Sequence, residues 1–118
     1  MRLAELEARF IKWTPDGWDT GPAGQAAQHG VLMLCPKCFR DKGSSVGVHS
    51  ILCWFVNPRE GDPVGLDEKP GPGRWARIGE TIETLTLGPP PGKSDSILID
   101  RDGCGAHFFI RNGEIQFT

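Results

Sequence analysis

Long apolar runs are missing from this chain. The longest, residues 31–35 and 51–56, fall far short of the roughly 20 residues that cross a bilayer, so no span is expected. Excess positive charge is missing too: 13 basic and 15 acidic residues give a formal charge of −2, and nothing favours a phosphate backbone as partner. Residues 1–12 alternate charged and apolar side chains and lack both an apolar h-region and a small-residue cleavage site. The expectation is an unprocessed protein of the bacterial host cytoplasm. There is no repeat of fixed period and no low-complexity tract beyond the proline-rich loops. Only three histidines occur, and no His-x-Glu accompanies a Pro-Cys-x-x-Cys, so the zinc deaminase pattern is excluded.

What is present is turn chemistry. Sixteen glycines and ten prolines in 118 residues favour short strands over long helices. The length suits a single domain, residues 1–118, with residues 1–29 as a loosely attached segment. Leu3, Leu6, Phe10 and Trp13 form a helical stripe, yet residues 9–13 read equally well as a short strand. Residues 14–30 read as a loop, with Trp18 as its one large apolar anchor. Residues 31–34 read as a buried strand. Residues 46–56 read as a central one, with His49, Ile51, Cys53 and Phe55 on one face and Val48, Ser50, Leu52 and Trp54 on the other. Residues 57–73 carry too many Gly, Pro and Asp residues for regular structure. Short strands follow at 75–78, 84–87 and 97–99. Asn112-Gly113 then predicts a type I′ hairpin joining residues 108–110 to 115–117. The expected fold is mainly β: a small zinc-stabilised antiparallel sheet or sandwich with long Gly/Pro loops and a C-terminal hairpin.

The four cysteines fit metal better than disulfides in a chain without an export signal. Cys35-Pro36-Lys37-Cys38 and Cys104-Gly105-Ala106-His107 each place two ligands around two intervening residues, the spacing that lets a turn curl round one ion. Cys35, Cys38, Cys104 and His107 are therefore the expected ligands of one structural zinc ion, clasping the two halves of the chain. Three thiolates and an imidazole close the tetrahedral shell and argue against catalysis at the metal. Two alternating Cys-His pairs, which a Rieske cluster requires, are absent, and the histidine favours zinc over iron.

Other candidates carry less. His49 and Cys53 share a strand face about 13 Å apart, too far for proton transfer, so both read as core residues. His29 reads as solvated in a polar loop. Asp100 and Asp102 read as turn residues. Trp54 reads as core, while Trp13, Trp18 and Trp75 suit either core or an aromatic groove. No catalytic set emerges.

Residues 30–39, 48–55 and 104–115 together resemble a family of small phage and prophage proteins of uncharacterised function, with Pro72-Gly73-Arg74-Trp75 and Leu85-Thr86-Leu87 as supporting matches. Some relatives carry the label ammonia monooxygenase, which implies a membrane-embedded copper enzyme. The thiolate-rich ligand set and the absence of a span contradict that label here. The closed ligand shell and the lack of a catalytic set lead to the expectation of a non-catalytic zinc-stabilised binding or accessory protein with a protein partner, and the resemblance adds a phage or prophage setting. A small metalloenzyme, hydrolase or oxidoreductase, is the alternative. An exposed strand edge or the tryptophans leave room for a homodimer.

Overall fold

The computed structural model describes residues 1–19, 27–69, 73–89, 94–99 and 104–118. The chain is mainly β, as its composition predicts. After a 3₁₀ turn at Leu3–Leu6 come β1 (Arg9–Thr14), β2 (Gly17–Asp19), β3 (Gly30–Leu34), helix α1 (Pro36–Lys42), β4 (Ser50–Phe55), β5 (Arg74–Ile78), β6 (Thr86–Gly88), β7 (Ile97–Leu98), β8 (His107–Arg111) and β9 (Glu114–Phe117). The larger sheet has the order β2-β1-β3-β4-β5-β6 and the smaller β7-β8-β9. Every pair is antiparallel except β4 with β5, which run parallel. The larger sheet is thus mixed. That parallel step becomes accessible because the long connection after β4 gives the chain length to return to the same end.

β4 holds the central position predicted for it, and both its faces are buried. Ile51, Cys53 and Phe55 belong to the main core with Val31, Met33, Leu85, Phe108 and Ile110. Trp54, with Leu52 against it, packs on Ile11, Leu32 and Val64 in a second core on the other face. Gly30 is required here by close approach. A Cβ at that position would lie 2.6 Å from the Cys53 carbonyl oxygen and 2.8 Å from Cε3 of Trp54.

The N-terminal segment, expected to attach loosely, is built into the core over its described part. Leu3, Leu6 and Ile11 are fully buried, and β1 pairs with β3 from Arg9↔Leu32 to Ile11↔Gly30. Of the two readings of residues 9–13, the strand is the one adopted. Pairing with β3 satisfies its backbone and buries Phe10 and Ile11 on opposite faces. The loop expected over residues 14–30 includes β2, and Trp18 there is 53% exposed and does not act as an anchor. Residues 20–26 lie outside the described residues.

The terminal hairpin forms as its Asn-Gly turn predicts, with φ of 49° at Asn112 and 73° at Gly113. Its turn is held by hydrogen bonds from Leu3 N to Gly113 O and from Gly113 N to Leu85 O, both 2.8 Å. The smaller sheet is thereby fastened to the N-terminus and to the residue preceding β6. Among the described residues, no helix is long and apolar enough to cross a membrane.

Candidate metal centre

Cys35 is delivered by the buried strand β3 and serves as N-cap of α1. Pro36 occupies the first turn, where its missing N–H costs nothing, and its fixed φ starts the helix. The Phe39 amide donates to the Cys35 carbonyl at 2.9 Å, closing the turn that carries Cys38. The Cys-x-x-Cys element is thus a strand end and the first turn of a short helix, an element absent from the sequence reading. It sits on the larger sheet.

Cys104 approaches from the other half of the chain, three residues before the start of β8 at His107. Gly105 has φ of +71°, a conformation that an L side chain adopts only with strain, so the glycine after Cys104 permits the turn the spacing predicts. The Cys35 and Cys104 sulfurs are 3.5 Å apart, and both thiols are free. A tetrahedral ion with Zn–S bonds of about 2.3 Å has sulfurs about 3.8 Å apart, so the pair already stands close to one tetrahedron edge.

The fourth member of the cluster is His49. One ligand atom from each of Cys35, Cys38, His49 and Cys104 lies within 4.8 Å of the others. His107, the expected fourth ligand, is outside this group. The reason is the pleat of β8. Phe108 and Ile110 point into the core, so His107, Phe109 and Arg111 share the opposite face. There the His107 ring lies 6.2 Å from that of Phe109, and the Arg111 guanidinium covers Phe109 at 4.2 Å.

His49 reaches the site because of the β3–β4 register. The Cys35 amide donates to the His49 carbonyl at 2.9 Å, extending the ladder one step past Leu34↔Ser50 and setting the two residues directly opposite one another. Sequence reasoning measured His49 only against Cys53 on its own strand. Pairing β4 with the strand that ends at Cys35 would have placed it correctly.

The electrostatics suit a cation. Burial pushes the Cys35 thiol up to about 12, with the neighbouring Cys104 and Cys38 thiols adding to the effect and a Cys38 backbone contact opposing it. Burial also works to raise the Cys104 thiol. The Ala106 backbone, the His49 side chain and the neighbouring thiols outweigh it and bring Cys104 down to about 7. The crowding thus favours the Cys104 thiolate at the expense of the Cys35 one, and a bound cation would stabilise the thiolates together. Cys53 takes no part: it is fully buried, and burial alone holds its thiol up at about 12.

The remaining candidates separate clearly. His29 is buried, not solvated, and its Nδ1 accepts the Trp13 amide at 3.0 Å. Trp54 is core, with its indole N–H bonded to the Lys69 carbonyl at 2.8 Å. Trp18 and Trp75 line a cleft of about 600 Å³ whose wall also includes His49. Asp100 and Asp102 lie outside the described residues.

No family model, curated protein or solved structure matches the chain significantly. The fold and site define a mainly β protein with a Cys₃His cluster able to bind a metal ion.

Proposed function

We propose that the chain is a zinc-stabilised binding or accessory protein whose metal is structural. The observation that carries this reading is the convergence of three thiols and one imidazole from two different sheets onto one point. Cys35, Cys38 and His49 belong to the β3–α1–β4 unit, and Cys104 leads into β8 of the smaller sheet. An ion held by all four joins those parts across a separation of 69 residues between Cys35 and Cys104. Three soft thiolates with one imidazole suit zinc over harder cations, and four protein donors fill its tetrahedral shell. An accessory role in a phage or prophage setting, in a host cytoplasm that keeps thiols reduced, completes the reading and rests on the motif resemblance.

One observation favours a second reading, a small metalloenzyme. His49 is exposed and lines the cleft, so the imidazole corner is the one an incoming ligand would meet first. Cobalt substitution separates the two. Intense tetrahedral ligand-field bands with thiolate charge transfer, unchanged by added azide or cyanide, support the structural role. Bands that shift with those anions reveal an exchangeable position and support the enzyme.

A further inference from the structure

The turn of the terminal hairpin carries a reactive sequence on a backbone held from several sides. Where glycine follows asparagine, the glycine nitrogen can attack the asparagine side-chain carbonyl carbon, because no Cβ hinders its approach. The chain has two asparagines. Asn57 precedes Pro58, whose nitrogen has no hydrogen to lose, so Asn112-Gly113 alone offers this route. Ring closure asks that the Asn112 side chain be reachable, that the Gly113 N–H give up its proton, and that ψ of Asn112 swing that nitrogen onto the side chain. The first condition is met, since Asn112 is exposed.

The docked turn denies the other two. Gly113 is buried, and its N–H donates at 2.8 Å to the carbonyl of Leu85, itself fully buried, so base in the solvent meets that proton only when the turn opens. The Asn112 N–H donates to Thr86 Oγ1, also at 2.8 Å. These two nitrogens bound the ψ torsion of Asn112, so anchoring them on neighbouring residues of one segment fixes that torsion, at a φ of 49°. Leu3 N donates to the Gly113 carbonyl and Ile115 N to that of Met1, both at 2.8 Å, which closes the turn from the other side. Residues 1–3, residues 85–86 and the hairpin therefore meet at this dipeptide, and the ring closes only where that junction opens.

We infer that Asn112-Gly113 is a conformation-gated deamidation site, silent while docked on Leu85 and Thr86 and reactive once undocked. On opening, the Gly113 nitrogen loses its proton and bonds to Cγ of Asn112; the bond from Cγ to the amide nitrogen breaks, and ammonia leaves with a proton. Water then opens the cyclic imide, at Cγ to give aspartate or at the backbone carbonyl to give isoaspartate. Only water is consumed. Isoaspartate puts an extra carbon into the main chain between residues 112 and 113, so the spacing of the two anchored nitrogens is lost and the turn cannot redock. Each opening of the junction thus risks a permanent mark. The inference goes beyond the binding role proposed above and does not depend on the metal.

The test incubates full-length protein under native conditions, the same protein unfolded in urea, and the blocked peptide of residues 110–115, all at one pH and temperature. Peptide mapping by mass spectrometry follows deamidation, and enzymatic carboxyl methylation detects isoaspartate. The urea sample should react as the peptide does, and the native protein at least about 100-fold more slowly. Thr86→Val removes the acceptor of the Asn112 N–H and should raise the native rate about fivefold, leaving the rate in urea unchanged. Thr86→Ser keeps the hydroxyl and should keep the parental rate. Isolated isoaspartyl protein should show fast amide exchange at Gly113 and Leu3. A native rate within a few-fold of the peptide's would overturn the inference. So would an unreactive urea sample, a Thr86→Val rate equal to the parent's, or an isoaspartyl protein with parental protection at Gly113.

Discussion

Cys35 and His49 face one another across the end of the β3–β4 ladder, the amide of the first donating to the carbonyl of the second at 2.9 Å, and their side chains meet in one cluster. The sheet register fixes these two members of the cluster relative to one another, so the sheet would hold half of a metal site before any ion arrives.

Replacing each histidine separately tests that placement. His49→Ala should lower zinc affinity by more than about 100-fold in chelator competition, because a ligand lost costs at least as much as a supporting partner. His107→Ala should keep one zinc per chain and near-parental affinity. Cys53→Ala should also keep full stoichiometry, since that thiol sits in the core apart from the cluster.

Removing the metal should loosen the join between the sheets. At a hundredfold excess of free zinc over its dissociation constant, linkage contributes about 2.7 kcal/mol. For a chain of this size, chelation should therefore lower Tm by roughly 10 °C or more. The check is calorimetry with and without a strong chelator. Hydrogen exchange should report the largest change around Cys104 and the β7–β8 pair.

The central place of β4, the C-terminal hairpin and the Cys-x-x-Cys element were legible because each depends on local chemistry: burial on both faces of β4, Asn112-Gly113, and paired ligand spacing. Three of the four cluster residues, Cys35, Cys38 and Cys104, follow from spacing alone. The imidazole does not. The spacing Cys104-x-x-His107 mimics a ligand pair, but β-strand alternation from Phe108 onward turns His107 outward. His49 owes its place to pairing between strands distant in sequence. Helix α1 was missed because its polar stretch carries no apolar stripe. The parallel β4–β5 step depends on tertiary packing that the turn-rich residues 57–69 do not encode.

Acid should weaken the fold through His29. Burial lowers its pKa below the usual histidine value, the Lys12 charge adds to this, and the Asp62 backbone opposes it in part. Neutral Nδ1 is the acceptor for Trp13 N–H. A folded-state pKa below the unfolded one means that the unfolded chain binds more protons in the window between them. This contribution is therefore complete above about pH 6.5 and is lost as pH falls through the lowered value. Zinc release adds to acid sensitivity, so the readout is the difference between parent and His29→Gln in urea midpoints across pH 4.5–8 under chelation. The parent should show the steeper loss.

Close packing of β3 on β4 should make Gly30→Ala costly. Its Cβ would meet the Cys53 carbonyl oxygen at 2.6 Å, and the backbone on both sides is fixed by the ladder. A loss of about 1–3 kcal/mol in urea unfolding is expected. Gly113→Ala should cost at least as much, since φ is +73° and the new Cβ would clash with the Glu83 carbonyl. A glycine without close neighbours is the comparison. Gly17→Ala meets nothing within 4 Å and bears only the strain of its φ of +140°.

The central claim is a closed shell of three sulfurs and the His49 nitrogen. X-ray absorption at the zinc edge of the loaded protein tests it most directly. The account predicts about three sulfurs at about 2.3 Å and one nitrogen at about 2.0–2.1 Å, with the imidazole scattering lost in His49→Ala and retained in His107→Ala. Imidazole scattering that persists in His49→Ala and vanishes in His107→Ala, or a shell of oxygens, would contradict it.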